Sequence, residues 1–327
     1  MPPTLAQARP YRDEEDLHAM LALARAGATE GTKHAYYQIG DVSWQTHAPG
    51  FDPRQHISLW EDDAGVLLAF TWCDTPQEMI VQLHPSARQD GRGEALLESI
   101  LAWGEDQFTH HLRETAATAT TETPANATDT TFTVYALEDD TLYTQALTRR
   151  GYRDGGFTEY LFDQPLTAPL APPALPDGWT VRPVAGEEEF AQRVELHRVV
   201  WHPSRVTVES YRRLRQEAPF YRPDLDLVAV GPDGVFASYC ICWYDEVNHT
   251  GEFEPVGTHP DYRQRGLSSA VLREGMRRLQ ALGATLATVN TGAQDHPPKF
   301  AATTAKSLYE SAGFRVVNRL HAYRRIL

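Results

Sequence analysis

A short basic turn near the end of the chain has the residue types of an anion site. Arg263 and Arg265 supply positive charge, and Gly266 lets the backbone approach a bound anion closely. A strand pattern stops before this turn at Pro260, and an amphipathic helical pattern follows over residues 267–282. In such a place successive amide N–H groups and the helix N-terminus converge, which favours a phosphate or diphosphate.

The same turn occurs a second time, 175 residues earlier. Residues 84–93 align without a gap with residues 259–268, and five of the ten positions are identical. Arg-Pro steps, hairpin signals and helix-ending glycines flank both turns in the same order. We therefore interpret the chain as a tandem duplication.

The length of the chain and its composition predict two domains. A chain of 327 residues is long for one hydrophobic core, and the proline-dense stretch 164–177 suits an extended linker. We expect an N-terminal domain over 1–163 and a C-terminal domain over 178–327. Each copy shows alternating strand and helix patterns, which predicts a mixed α/β or α+β layer around one sheet. The Thr- and Ala-rich stretch 114–131 is predicted to be irregular.

The charge of the chain limits its partners. A formal net charge of −14 argues against a nucleic-acid partner and favours a cationic substrate. No apolar run of about 18 residues predicts a membrane span, and no leader pattern is visible, so we expect a cytoplasmic protein. The three cysteines, Cys73, Cys240 and Cys242, predict buried free thiols and no metal site. The sequence does not indicate an oligomeric state.

Two motifs resemble those of the GCN5-related N-acetyltransferase (GNAT) superfamily. Residues 252–267 are similar to its central motif, in which a strand and a Pro-x-x-Arg step lead into Gln/Arg-x-x-Gly-x-Gly/Ala and a helix. Residues 305–314 are similar to its second motif, Ala-x-x-Leu-Tyr-x-x-x-Gly-Phe. Ser268 stands where the family usually has glycine or alanine. The resemblance implies two tandem GNAT-like domains, each a mixed, mostly antiparallel sheet flanked by helices.

This resemblance implies a binding site for acetyl-CoA and no metal. The family holds the pyrophosphate on the amides of the turn and lays the pantetheine beside the motif strand, where an N–H near Val256 polarises the thioester carbonyl. The cofactor-binding residues so implied are Val256, Gly257, Thr258, Arg263, Gln264, Arg265, Gly266, Leu267 and Ser268.

The resemblance also implies an acid and a base. A primary amine has a pKa near 10 and must lose a proton before it attacks, so the family often places a carboxylate beside it. Glu252 and Glu254 lie on the motif strand, and Pro255 predicts a bulge that re-aims one of them. We prefer Glu254, with Glu252 as the alternative. Tyr309 matches the tyrosine that protonates or hydrogen-bonds the departing sulfur.

The first copy keeps the turn but not these catalytic residue types. Arg88, Gly91 and Gly93 form a possible second cofactor cradle, although Asp90 places a carboxylate in it. Glutamine and methionine replace the two glutamates, at Gln77 and Met79, and Leu147 replaces the tyrosine, with Tyr143 one turn earlier. We expect the first copy to be degenerate. It would then be structural, or shape the acceptor site of the second copy.

The leading hypothesis is an acetyl-CoA-dependent N-acetyltransferase. The acceptor would be a primary amine of a small molecule or peptide, which attacks the thioester directly in the C-terminal domain. By the same resemblance, Trp201, Tyr211 and Tyr221 are candidates for the acceptor pocket. Alternatives that the sequence leaves open are a non-catalytic acyl-CoA-binding sensor or interaction module, transfer of another acyl group, and a hydroxyl acceptor.

Overall fold

The computed structural model describes residues 8–28, 36–89, 91–118, 130–292 and 302–327. In these residues the strands are β1 (Ala8–Pro10), β2 (Ile57–Glu61), β3 (Leu67–Trp72), β4 (Glu78–Leu83), β5 (Thr131–Leu137), β6 (Arg153–Pro165), β7 (Thr180–Pro183), β8 (Asp226–Val230), β9 (Phe236–Asp245), β10 (Thr250–Thr258), β11 (Leu286–Gly292) and β12 (Arg315–Ile326). The helices are α1 (Glu14–Ala28), α2 (Ile39–Thr46), α3 (Pro53–His56), α4 (Pro85–Gln89), α5 (Gly93–Thr118), α6 (Thr141–Arg149), α7 (Phe190–Val200), α8 (Val208–Glu217), α9 (Leu267–Ala281) and α10 (Ala302–Ser311). Short 3-10 turns span Glu187–Glu189, Pro223–Leu225 and Pro260–Tyr262.

The chain forms two compact units whose segments differ from the predicted domain boundaries. Unit 1 holds the described residues up to Tyr36, together with Asp52–Glu159 and Asn318–Leu327. Unit 2 holds Tyr37–Phe51 and the described residues of Tyr160–Val317. Helix α2, from the first repeat, thus belongs to unit 2, and the end of β12, from the second repeat, belongs to unit 1. Long-range hydrogen bonds cause this exchange, and repeat spacing carries no sign of them.

The sheet of unit 1 is mostly antiparallel. Its strand order is β1-β2-β3-β4-β5-β12. The β4–β5 pair is parallel, whereas the other pairs are antiparallel, including β5 with the Leu320–Ile326 part of β12. Large side chains such as Trp60, Phe70 and Phe132 are fully buried and supply the core.

The sheet of unit 2 follows the same plan. Its strand order is β6-β11-β10-β9-β8-β7, with β10–β11 parallel and β7, β8, β9 and β10 antiparallel in turn. Helix α9 begins at Leu267 as the periodicity predicts, and its apolar side chains are buried. Strand β9 is buried along nearly its whole length because both of its faces are covered. The predicted fold class, mixed and mostly antiparallel sheets flanked by helices, is confirmed.

Two irregular stretches were predicted between the regular elements. Residues 166–176 contain no helix or strand, in accord with their proline density. The prediction for residues 114–131 was wrong at both ends, because α5 continues to Thr118 and β5 begins at Thr131. Residues 119–129 lie outside the described residues. No helix in the described part of the chain is long and apolar enough to cross a membrane.

Candidate active site

Strand β10 carries both candidate glutamates. Its regular pairing with β9 is interrupted around Glu254 and Pro255. Its register with β9 shifts between Phe253 and Val256, which confirms the bulge predicted from Pro255. Pairing with β11 runs over Thr250–Glu252, and β10 continues beyond it to Thr258. After the bulge, one edge of β10 therefore pairs with β9. The other edge lies beyond the residues of β10 that pair with β11. An extended ligand can add to such an edge as a further strand.

Glu252 is buried and bonded to the start of α2. It is 4% exposed. Its Oε2 accepts the N–H of Gly40 at 2.7 Å, and its Oε1 accepts the N–H of Asp41 at 3.1 Å. Burial, together with the nearby carboxyl group of Asp41, raises the pKa of Glu252 well above its ordinary value. Both oxygens of Glu252 are thus engaged by backbone amides inside unit 2.

Glu254 lies in the wall of an open pocket of about 260 Å³. Its main-chain carbonyl accepts the indole N–H of Trp243 at 2.6 Å, which fixes the backbone at the bulge. The other residues of the lining are Trp44, His197, Trp201, Pro203, Ser204 and Pro255. A carboxylate therefore stands among aromatic groups one residue before the bulge proline, and of the two glutamates only Glu254 is in this lining.

Some pocket candidates lie elsewhere in unit 2. Trp201 is in the lining, but the buried hydroxyls of Tyr211 and Tyr221 donate to Asp226 at 2.5 and 2.7 Å. Asp226 also pairs with the buried guanidinium of Arg193 at 3.2 Å. Tyr211 and Tyr221 therefore satisfy a buried carboxylate. Sequence reasoning missed Trp44, because nothing in its neighbourhood signals that α2 belongs to unit 2.

His197 presents a neutral ring to the pocket. The indole N–H of Trp201 can only donate, and it donates to the Tyr239 hydroxyl oxygen at 2.7 Å. The Tyr239 hydroxyl oxygen also lies within hydrogen-bond distance of His197 Nδ1, at 2.7 Å. Burial and the positive charge of Arg193 lower the pKa of His197 to about 3. His197 is therefore neutral near pH 7.

The basic turn at the start of α9 has the backbone features of an anion site. Gly266 has φ of +78° and Gln264 has φ of +60°, a left-handed pair that curls the backbone ahead of the helix. No side chain caps α9, so the first amide N–H groups of the helix face the turn. Arg265 is exposed, and its guanidinium lies 5.0 Å from the centre of the Tyr262 ring. These residues supply the donors and charge that a diphosphate requires.

A chain of hydroxyls ties the end of β10 to the start of α9. Thr258 Oγ1 lies 2.5 Å from Ser268 Oγ and 2.8 Å from Ser238 Oγ, and Ser238 donates to the carbonyl of Gly257 at 3.0 Å. Ser268 thus uses its hydroxyl inside the protein and leaves its backbone N–H for a ligand. A side chain at position 257 would meet the Tyr239 ring at 2.7 Å, so glycine is needed there.

Tyr309 lies in the core of unit 2 beside these elements. Its ring packs against Phe162 at 5.5 Å and Phe314 at 5.9 Å between centroids. Burial, followed by the negative charge of Glu254, raises its pKa above the ordinary value for tyrosine. The phenol is therefore protonated throughout the neutral range.

Comparison with known proteins identifies the second repeat. Residues 190–314, from α7 to just past α10, match the family described as "Acetyltransferase (GNAT) family". This segment belongs to the GNAT family. The general activity of GNAT acetyltransferases is acyl-CoA-dependent acetyl transfer. No group of three or more His, Cys, Asp or Glu side chains that could hold a metal occurs within the ranges that the structure describes.

Solved structures that are similar over nearly the whole chain include a tandem GNAT protein. A GCN5-related N-acetyltransferase from Sphaerobacter thermophilus matches with a TM-score of 0.61 and 21% identity, over 98% of this chain and 96% of its own. A tandem GNAT protein from the clavulanic acid biosynthesis pathway matches with a TM-score of 0.60 and 16% identity, over 98% of both chains. A mycothiol acetyltransferase of Saccharopolyspora erythraea is 27% identical over 266 residues, which are 76% of this chain and 78% of that protein. The tandem GNAT resemblance of the sequence is thus confirmed.

The turn of the first GNAT-like repeat keeps a left-handed glycine, while its arginine is engaged elsewhere. Gly91 has φ of +78°, the same as Gly266. Arg88, however, donates to both oxygens of Asp140 at 2.8 and 2.7 Å, and Tyr36 donates to the same carboxylate at 2.8 Å. Asp140 also caps α6 through the N–H of Tyr143 at 3.1 Å. Arg88 is thus part of a buried network within unit 1.

Several other first-copy positions are buried in unit 1, and one is not described. Met79, at the place of Glu254, is fully buried, and so are Leu147 and Tyr143. The Tyr143 ring packs against Tyr36 with 6.1 Å between centroids. Asp90, predicted to oppose phosphate binding in this copy, lies outside the described residues. The described side chains offer no carboxylate at the place that Glu254 occupies in the second repeat.

Proposed function

We propose that this chain is an acetyl-CoA-dependent N-acetyltransferase whose chemistry takes place in the C-terminal GNAT domain. Its acceptor would be a primary amine of a small molecule or peptide. The observation that carries the proposal is the position of Glu254, a residue of the pocket lining at the β10 bulge, ahead of the strand edge beyond the pairing with β11 and ahead of the α9 turn. A base, a thioester site and a diphosphate site would then follow one another from β10 into the turn before α9.

Acetyl-CoA would bind along this strand. Its diphosphate would lie on the amides of residues 264–268, with Arg263 and Arg265 adding charge. Its pantetheine would add to the edge of β10 over Val256–Thr258, beyond the residues Thr250–Glu252 that pair with β11. The names of the relatives, both the family and the mycothiol acetyltransferase, support acetyl as the acyl group.

The reaction would proceed by direct attack on the thioester. The Glu254 carboxylate removes a proton from the bound ammonium, and the freed nitrogen lone pair forms a bond to the thioester carbon. The N–H at Val256 stabilises the oxyanion that results. The C–S bond then breaks, the electron pair leaves on sulfur, and the Tyr309 hydroxyl protonates that sulfur. The nitrogen loses its second proton to solvent as the amide forms, Glu254 releases its proton to solvent, and Tyr309 regains one proton from solvent.

The acidity of the chain supports a cationic acceptor. The formal net charge is −14, and the pocket contains a carboxylate and two indole rings but no lysine or arginine among its lining residues. An ammonium group is attracted by all three features. A thiol-release assay with acetyl-CoA and a panel of primary amines tests the proposal. We expect turnover with at least one amine, whereas tight acetyl-CoA binding without turnover on any acceptor would favour the sensor.

Replacing Tyr309 by phenylalanine should lower kcat roughly 50-fold, near the lower end for a proton-transfer residue. The effect is limited because a thiolate, with a pKa near 8.5, leaves more readily than an alkoxide. The KM for acetyl-CoA should stay within about twofold of wild type. Steady-state kinetics with both substrates varied measures this, and an unchanged kcat would remove Tyr309 from the mechanism.

We further propose that the first repeat does not bind acetyl-CoA, because Arg88 is engaged by Asp140. Arg88→Ala should reduce the free energy of unfolding by about 3 kcal/mol, since it leaves a buried carboxylate without its cation. The KM for acetyl-CoA should not change. Arg265→Ala is the matched control, because this exposed arginine should raise that KM with little effect on stability. Urea titration and kinetics measure both quantities, and calorimetry that finds two acetyl-CoA sites per chain would contradict the proposal.

A further inference from the structure

We propose that α2, although it comes from the first repeat, forms a wall of the acceptor site, and that Glu252 is the positioning residue that holds it there. Trp44 on this helix would then recognise the acceptor as an alkylammonium group. The proposal rests on the N-acetyltransferase function of the second repeat. It gives Glu252 a role other than base and assigns part of the acceptor site to residues 37–51.

The anchor of α2 is formed by buried polar contacts inside unit 2. Glu252 accepts the N–H groups of Gly40 and Asp41, the first donors of the helix, at 2.7 and 3.1 Å. Two residues before Gly40, Gln38 Oε1 accepts the hydroxyl of Thr288 at 2.9 Å. Strands β10 and β11 thus each hold the N-terminal end of α2. A buried carboxylate with two amide donors is strongly tied to its partners, because leaving any of these groups unsatisfied is costly.

Close packing at Gly40 joins the anchor to the catalytic strand. A side-chain carbon at position 40 would overlap the Trp243 ring and would lie 2.5 Å from Glu252 Oε2. Trp243 in turn donates its indole N–H to the carbonyl of Glu254. The start of α2 therefore packs directly on the side chain that fixes the bulge, and only glycine allows this distance.

Trp44 reaches the pocket from the other end of the same helix. Its ring lies 5.5 Å from that of His197 between centroids, and it lines the pocket with Trp201 and Glu254. Two indoles and a carboxylate form a site for a cation, since the faces of indole rings attract ammonium groups. His197, being neutral, does not oppose the cation. The chemistry of the lining thus favours an alkylammonium over an uncharged arylamine or an alcohol.

Glu252 itself does not reach the reacting atoms in this arrangement. It is 4% exposed, and both of its oxygens accept backbone N–H groups. A general base needs an oxygen within hydrogen-bond reach of the amine. Glu252 therefore acts on the acceptor through α2 and Trp44.

Paired substitutions distinguish a positioning role of Glu252 from a role as the general base. Glu252→Ala removes both acceptors and should raise the KM for benzylamine, or another alkylammonium acceptor, about tenfold or more. Glu252→Gln keeps one acceptor oxygen and should recover most of this loss. Gly40→Ala should resemble Glu252→Ala. In each variant the KM for acetyl-CoA should stay unchanged, and amide hydrogen exchange over residues 38–47 should accelerate in Glu252→Ala and Gly40→Ala.

Trp44 is tested with acceptors of matched size and different charge. Trp44→Leu should raise the KM for benzylamine about tenfold and should change it much less for aniline, which is uncharged at neutral pH. The controls lie in unit 1. Trp103→Leu removes an indole that packs on Trp60, and Glu105→Ala removes a carboxylate bonded to Arg150. Neither should affect the amine KM or exchange over 38–47.

The possible results show whether Glu252 is a positioning residue or the base, and whether Trp44 recognises a cation. If Glu252→Gln and Glu252→Ala lower kcat equally, by a hundredfold or more, and leave the amine KM unchanged, then Glu252 is the base and the proposal is wrong. Unchanged exchange over 38–47 in Glu252→Ala would refute the anchor. Equal effects of Trp44→Leu on benzylamine and aniline would refute the cation site. A wild-type protein without turnover on any amine would remove the proposed function and the role of Trp44, while hydrogen exchange would still judge the anchor.

Discussion

Glu254→Gln should lower kcat/KM for the amine about a thousandfold at pH 7, within the range for loss of a general base. Glutamine keeps the size of the side chain and its hydrogen-bonding capacity but cannot take up a proton. The bulge that presents position 254 to the pocket depends on Pro255 and Trp243, so the geometry should survive. The KM for acetyl-CoA should therefore remain within about twofold of wild type.

The pH dependence of this variant identifies the missing step. Without a base, the variant can use only the small fraction of amine that is already neutral, and this fraction rises tenfold per pH unit below a pKa near 10. The loss relative to wild type should therefore shrink as the pH rises toward that value. Glu195→Gln, at an exposed position of α7, is the matched control and should match wild type at every pH. A loss for Glu254→Gln that is constant with pH would contradict the role as base.

Gly266→Glu should raise the KM for acetyl-CoA about a hundredfold. The new carboxylate would stand at the start of α9, where the diphosphate is expected, and like charges repel strongly at such distances. The left-handed φ of +78° adds about 1–2 kcal/mol of backbone strain for any residue with a side chain. Kinetics at saturating amine measures the effect on the cofactor alone.

The first repeat provides a matched control for this substitution. Gly91 has the same φ of +78°, and a side-chain carbon at either glycine would meet no atom within 4 Å. Gly91→Glu therefore introduces the same strain and the same charge in the other copy of the turn. We expect a similar loss of stability and an unchanged KM for acetyl-CoA. Equal KM values for Gly266→Glu and wild type would refute the assignment of the diphosphate to the α9 turn.

Much of the local geometry of the candidate site could be predicted from the sequence. The duplicated turn, the helix that begins at Leu267 and the bulge at Pro255 all follow from glycine, proline and periodicity within a few residues. These features are determined by backbone constraints that act locally. The tandem architecture was visible for a related reason, since a repeated order of short signals needs no knowledge of contacts.

Contacts between distant parts of the chain could not be predicted in this way. The bond from Gly40 to Glu252 joins positions 212 residues apart, and the pair of Arg88 with Asp140 spans 52 residues. A glutamate on a strand has the same sequence signature whether it faces an amine or caps a helix. Arg88 likewise fits a phosphate motif while its guanidinium neutralises a buried carboxylate. Burial and partner identity decide such cases, and both depend on the complete fold.

The segment composition of the two units bears on how the chain has evolved. Unit 2 takes residues 37–51 from the first repeat, and unit 1 takes residues 318–327 from the second. If the first repeat is catalytically degenerate, as we propose, substitutions such as those at Met79 and Leu147 can remove its chemistry without loss to the second repeat. Gene deletion cannot remove the first repeat, because α2 would go with it and Glu252 would be left buried without its amide donors. Selection would thus retain the first repeat because it supplies α2 to unit 2, even after the first repeat had lost its own active site.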